Sequence, residues 1–456
     1  MMKSYAARRA HLIAHMQAKG GGVAIIPTAA TAMRNSDCDY PYRHDSYFYY
    51  LSGFTEPDAL IVLVANGSDR QRNPSQSVLF CRDKNPEREI WDGFRYGPEG
   101  ARAFFGFDAA YSIDALNSEM VKLLANAPAL FFPLGSNAKL DAQIQNWLQT
   151  VRQQSRIGVS APTVTHDIYA ILNEMRLFKD ESEIALMQRA ADISAEAHNR
   201  AMRMTQPGIH EYQIEAELLH EFRRNGAQFP AYTSIVASGA HACVLHYNAN
   251  NAQLKDGDLI LIDAGCEFDS YAADITRTYP VNGTFSGPQK ALYEIVLAAQ
   301  HAAIAAAIPG NRYNEIHTAA VRVLAQGMLD TGLLNKNIVG TLDDVIAKKT
   351  YQQFYMHGTG HWLGLDVHDV GTYRETALAP TAEGQEKPWR RLQPGMVLTV
   401  EPGIYVRPAE GVPEQFWNIG IRIEDDVLIT DSGNHILSST APTGVAEIEA
   451  MMKSKL

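Results

Sequence analysis

The stretch DGDLILIDAG, residues 256–265, has an echo later in the chain, PGMVLTVEPG, residues 394–403. In both, a turn glycine (Gly257, Gly395) stands six residues before an acid (Asp263, Glu401), and a second glycine (Gly265, Gly403) follows the acid by two. The apolar residues between read as a short strand ending in a carboxylate. Repetition of the pattern suggests a duplicated strand-turn unit that supplies one acid from each half, as a metal held between two related halves requires; the alternative is a chance alignment of ten residues.

Two more acids occur in similar surroundings, Asp274 in YAADITRT and Glu424 in GIRIEDD, and His361 lies in HGTGHWLGLDVH. A lone carboxylate at the end of an apolar run is costly to bury unless it is paired or coordinated. Four of them in one cleft carry a charge of about −4, which two divalent ions cancel and one does not. One imidazole among four oxygen donors suits Mn, Co, Fe or Zn, unlike the thiolate-rich sets of structural zinc or an all-oxygen calcium cage, with manganese the first choice.

Strand parity adds a cation. In NIGIRIEDDVL, Ile419, Ile421 and Ile423 share one face and Gly420, Arg422 and Glu424 the other. Arg422 is therefore expected beside Glu424, where paired N–H bonds would orient a carboxylate. The alternative is an exposed face with a weak charge pair. His357 and His361 are four apart, but Gly358 and Gly360 between them disfavour a zinc-binding helix and favour a loop lining a cleft. The residues alone leave His246, His357, His361 and His368 open as candidates, each with a purely structural role as its rival.

The chain's 456 residues suit two domains, and its net charge of −11, without a long Lys/Arg block, argues against nucleic acid as a partner. Cys38, Cys81, Cys243 and Cys266 are widely spaced and suggest neither a zinc ribbon nor a disulfide framework. The first residues read as an amphipathic helix closed by glycines, with no apolar leader, and runs such as ALIVLVA are too short to span a membrane. A cytoplasmic protein is the default expectation. From Gly22 to about Pro162, VAIIP, YFYYLSG, ALIVLVA, SVLFC and ALFFPLG read as extended runs, followed by a helix around Leu140 to Gln154. After Pro162 two helices are expected, the second opening at Asp180 with Glu183 completing a capping box. The boundary is placed near Lys179, giving domains 1–178 and 179–456.

The ordered series LHYNANN, LILIDAGCEFDSYAADITRTYPV, MHGTGHWLGLDVHDVG, MVLTVEPGIY and GIRIEDDVLIT resembles the Xaa-Pro aminopeptidase (aminopeptidase P) branch of the M24 metallopeptidases. DYPYRHDSYFYYLSGFTEPDALIVL and EIWDGFRYG in the first half are similar to the same branch. The resemblance implies an α+β chain: a C-terminal pita-bread domain, with duplicated αβ half-domains around a curved antiparallel sheet, preceded by a smaller α/β domain. It further implies a dinuclear centre in which Asp274 and Glu424 bridge, Asp263 serves one ion, and His361 and Glu401 serve the other. His246, His357 and His368 would face substrate, with His357, His368 and Tyr405 around the proline ring and Arg422 behind the ligands. Trp91 would reach a neighbouring subunit's site in a homo-oligomer, a tetramer or dimer; the alternative for an aromatic on a strand is a core position.

The activity implied is release of the first residue from peptides with proline second, by attack of a metal-bridging hydroxide. A neutral histidine, His246 or His368, would stabilise the oxyanion or pass a proton to the departing nitrogen. Rival readings are a prolidase limited to Xaa-Pro dipeptides and a non-catalytic peptide-binding module of the same fold. The segment 371–393 between site motifs is longer than the branch leads one to expect, and reads as a surface loop affecting peptide length preference.

Overall fold

The computed structural model describes residues 2–66, 75–375 and 386–454. Of the long segment 371–393, residues 376–385 lie outside the described residues. The chain divides into two compact units, Met1–Arg176 and Leu177–Leu456. No helix among the described residues is long and apolar enough to cross a membrane.

The first unit opens with helix Met2–Ala18, which ends at glycines that adopt positive φ, Gly20 at 99° and Gly21 at 85°. Its described residues form a sheet in the order Ala109–Ser112, Gln76–Cys81, Leu60–Ala65, Gly22–Pro27, Ala129–Phe131, Val164–His166. Gly22–Pro27 pairs antiparallel with Leu60–Ala65 and parallel with Ala129–Phe131. Helices pack on the sheet, so its central strands Gly22–Pro27 and Leu60–Ala65 are apolar along their whole length rather than alternating. Val23, Ile25, Val62, Val78 and Phe80 pack with Trp147 of helix Ala138–Arg152.

Two sequence readings of this unit need correction. The run YFYYLSG is not extended but lies in helix Ser46–Ser52. Asp45 caps it by accepting from Phe48 N at 2.9 Å, and Gly53 closes it at φ 67° with its N–H on Tyr49 O at 2.8 Å. Phe48, Tyr49, Tyr50 and Leu51 are all buried, so packing on every side overrides the strand propensity of the aromatics. Trp91 is on helix Pro86–Asp92, capped by Asn85, and is 82% exposed, so it is neither a strand residue nor core.

The second unit begins its long helix where the sequence indicates: in helix Glu181–Met204, Asp180 accepts from Ser182 N and Glu183 N while Glu183 accepts from Asp180 N. Two halves follow with matching parts. Helices Glu181–Met204 and Glu211–Arg224 accompany an antiparallel sheet of Ile235–Ser238, Leu259–Asp263 and Thr276–Pro280. Helices Gly287–Ala306 and Tyr313–Asp330 accompany an antiparallel sheet of Val397–Val400, Asp425–Thr430 and Gly433–Ile436. The bridge Thr276↔Glu424 ties one sheet to the other. Gly257 and Gly395 share the same φ of 87°, a left-handed turn that glycine accepts without strain.

Gly265 answers a different need. A Cβ there would fall on the carbonyl oxygen of Ala273, the residue before Asp274. Gly265→Ala is therefore expected to destabilise the fold by about 1–3 kcal/mol and to lower activity by displacing Asp274. A denaturant-derived stability within about 0.5 kcal/mol of the parent would contradict this.

Candidate metal centre

Asp263 is the last residue of its strand and faces Thr276 across the antiparallel ladder. Asp274 precedes the strand Thr276–Pro280, and its N–H points to Asp426 Oδ2 at 3.2 Å. Glu424 is fixed from Thr276 twice: its N–H donates to Thr276 O at 3.1 Å and its Oε2 accepts from Thr276 Oγ1 at 2.6 Å. Behind both, buried Arg277 donates to the carbonyls of Thr276 and Glu424 and pairs with Asp425 at 2.6 Å.

The HGTGH segment is not helical and runs beside strand Val397–Val400. Glu401 N donates to Thr359 O at 2.8 Å and Thr399 N to His361 O at 2.9 Å. Gly360 permits this approach, because a Cβ there would overlap Thr399 O. The His361 ring is oriented by Nδ1 against Trp362 O at 3.0 Å, which leaves Nε2 toward Asp274 Oδ2 at 3.3 Å and Glu401 Oε1 at 3.9 Å.

These elements bring Asp263, Asp274, His361, Glu401 and Glu424 to one cavity of about 250 Å³, whose lining also includes His246, His357, His368 and Arg422. Asp274, His361 and Glu424 each offer a ligand atom, and the three atoms lie within 4.8 Å of one another. The cavity crowds buried carboxylates together. Burial, followed by the charge of Asp263, raises Asp274. Burial pushes Glu401 up to about 7, and raises Glu424 well above the carboxylate range with help from Asp274, Glu401 and Asp263. Burial alone would lower His361, but the hydrogen bond and charge of Asp274 and the charge of Glu401 lift it to about 9. The Tyr232 hydroxyl lies 2.6 Å from both Asp263 Oδ1 and Asp274 Oδ1. One hydroxyl proton serves only one of those oxygens, so the other needs a proton or a cation. The donor set fits divalent metal.

Arg422 shares the cavity with Glu424, as parity requires, but its ion pair is with Asp263: Nη2 to Oδ2 is 2.6 Å. Parity along a strand selects the face and not the carboxylate that meets it from another strand. Arg422 also donates to Tyr405 OH at 3.0 Å, and Tyr405 OH meets His357 Nε2 at 2.8 Å. Tyr405 is only 1% exposed, so it stands behind His357 and Arg422 rather than among the cavity's lining residues. Burial and the charge of Arg422 lower His357 to about 4, leaving it neutral near pH 7. The His368 ring lies against His361 with centroids 4.0 Å apart, and burial with the charges of His361 and His246 lowers its pKa. Trp91 is not brought to this cavity.

Tyr232, Thr276 and Asp426 were not singled out from the sequence. Asp426 is raised well above the carboxylate range by burial and by Asp274. The acidic pair after Glu424 in IEDD was a usable signal for Asp426; FPAYTS carries none for Tyr232, whose partners are 31 and 42 residues away.

Comparison with known proteins bears on this geometry. The model of metallopeptidase family M24 matches residues 185–431, and that of the aminopeptidase P N-terminal domain matches residues 5–131. The chain is 44% identical to the Xaa-Pro aminopeptidase of Haemophilus influenzae over 98% of its own length and 96% of the relative's. It is similar to the structure of the Pseudomonas aeruginosa aminopeptidase PepP, with a TM-score of 0.93, 45% identity and coverage of 100% and 98% of the two chains. It is also similar to Escherichia coli aminopeptidase P with the inhibitor Pro-Leu, with a TM-score of 0.92, 42% identity and the same coverage. The α+β architecture, a pita-bread domain preceded by a smaller α/β domain, is as the sequence indicates.

Proposed function

The chain belongs to metallopeptidase family M24, and from that premise we propose that it is an Xaa-Pro aminopeptidase whose Asp263, Asp274, His361, Glu401 and Glu424 hold two divalent ions. The observation that carries the reading is the convergence of four carboxylates and His361 on one cavity, where burial raises the proton affinity of Asp274, Glu401 and Glu424. In this reading Asp274 and Glu424 would be ligands shared by the ions, and manganese would be the first choice. Bound divalent ions supply Lewis acidity toward the scissile carbonyl and lower the pKa of water.

The chain's own residues supply the rest. Arg422 holds Asp263 from behind and Tyr405 from the side, which fixes His357 at the cavity wall. The bond to be broken has a proline nitrogen without hydrogen, so recognition rests on ring shape and requires a proton for the leaving nitrogen. In this reading His368, whose ring lies against His361, or His246, its neighbour in the cavity lining, would stabilise the oxyanion or pass that proton to the leaving nitrogen. His368→Ala is expected to reduce turnover roughly 10²-fold while metal content stays at the parent value. Loss of metal in that variant would reassign His368 as a ligand. Homo-oligomeric assembly belongs to the same proposal, and exposed Trp91 suits it.

The prolidase reading is not favoured, because relatives matched over 98% of this chain are named Xaa-Pro aminopeptidases. Paired assays separate the two: metal-loaded protein should release the first residue from an Xaa-Pro-Yaa tripeptide and longer peptides. Cleavage confined to Xaa-Pro dipeptides would overturn the aminopeptidase.

A further inference from the structure

Helix Met2–Ala18 of the first unit carries two exposed histidines one turn apart, His11 and His15, whose Nε2 atoms lie 3.0 Å from each other. Their rings are 4.8 Å apart between centroids, with 20° between planes, so both imidazoles project over the same patch of helix surface. We propose that His11 and His15 form a second, surface metal site, a two-imidazole chelate for Cu²⁺ or Ni²⁺, independent of the catalytic cavity.

With metal–nitrogen bonds of about 2.0–2.1 Å, two ligands lie about 2.9 Å apart at a right angle and about 3.3 Å apart at a tetrahedral angle. The observed 3.0 Å is nearer the right angle, the geometry of tetragonal Cu²⁺ and Ni²⁺ sites. The remaining positions are open to water, since both side chains are exposed. No bond to carbon changes: each ring carries its single proton on Nδ1 and presents the Nε2 lone pair. Without metal the pair has one Nε2–H···Nε2 hydrogen bond, an exposed one-turn contact. Burial, His11 and Lys19 lower the His15 pKa, which keeps that ring neutral and able to bind at neutral pH.

The test compares Cu²⁺ binding to the metal-loaded parent chain, His15→Ala and His11→Ala. All three share the same catalytic cavity, so exchange there cancels in the difference. Each variant should bind one fewer Cu²⁺ per chain than the parent and lose an electron paramagnetic resonance signal with two nitrogen ligands. Both should keep the parent's peptidase activity and melting temperature before copper is added, because the side chains are exposed and alanine favours helix. Equal copper stoichiometry in all three would overturn the site. Loss in only one variant would also overturn it, since that outcome describes a single histidine and not a chelate.

Discussion

Asp274→Asn is expected to lower turnover by roughly 10³-fold or more and to leave the protein unable to retain its full metal complement. Asn offers one neutral oxygen where the parent offers two charged ones. The Asp274 carboxylate faces His361 at 3.3 Å and Tyr232 at 2.6 Å, so both neighbours lose an ionic partner. Transition-state stabilisation by metal amounts to several kcal/mol, and each 1.36 kcal/mol is about a factor of ten. Glu424→Gln should behave alike, because Glu424 offers a ligand atom to the same cluster and is held by Thr276. Metal analysis beside a peptidase assay checks both variants, and full activity with two ions bound would refute their bridging role.

Removing the metal should make stability depend on pH in a direction set by the ligands. Without metal, burial holds Glu401 up at about 7 against an ordinary 4.5, so the folded chain binds this proton more tightly than the unfolded chain. Stability from that proton is present below about 4.5 and is lost as pH rises to 7. His361, whose burial is outweighed by Asp274 and Glu401, follows the same sign from 6.5 to about 9. Metal instead binds deprotonated ligands and holds better as pH rises. The melting temperatures of metal-loaded and metal-free protein should therefore diverge between pH 5 and 8, by on the order of 10 °C at the upper end. A gap that is constant or shrinks with rising pH would mean that the acids are not compensated by metal.

What the sequence disclosed was local. The glycine spacing around Asp263 and Glu401 survives as two matched turns with the same φ, because turn geometry is written in neighbouring residues. The capping box at Asp180 and the non-helical HGTGH were legible for the same reason. Partners across the fold were not. Parity puts Arg422 near Glu424, but it does not show that its ion pair is with Asp263, 159 residues away. Tyr232 gave no signal because its meaning comes from two strands that meet only after folding. The helix Ser46–Ser52 was misread although Asp45 and Gly53 mark its ends, since four aromatics in a row favour a strand until the surrounding core decides.

One cleft, built from both halves of the second unit, is proposed to work with two ions. The most direct test is titration of metal-free protein with Mn²⁺, following bound metal and release of the first residue from an Xaa-Pro-Yaa peptide. Mn²⁺ stands low in the order of imidazole affinities, so the His11–His15 pair does not compete. With two ions at work, release is absent without metal and reaches its maximum at two ions per chain. Full release by the metal-free chain, or a maximum at one ion, would contradict this.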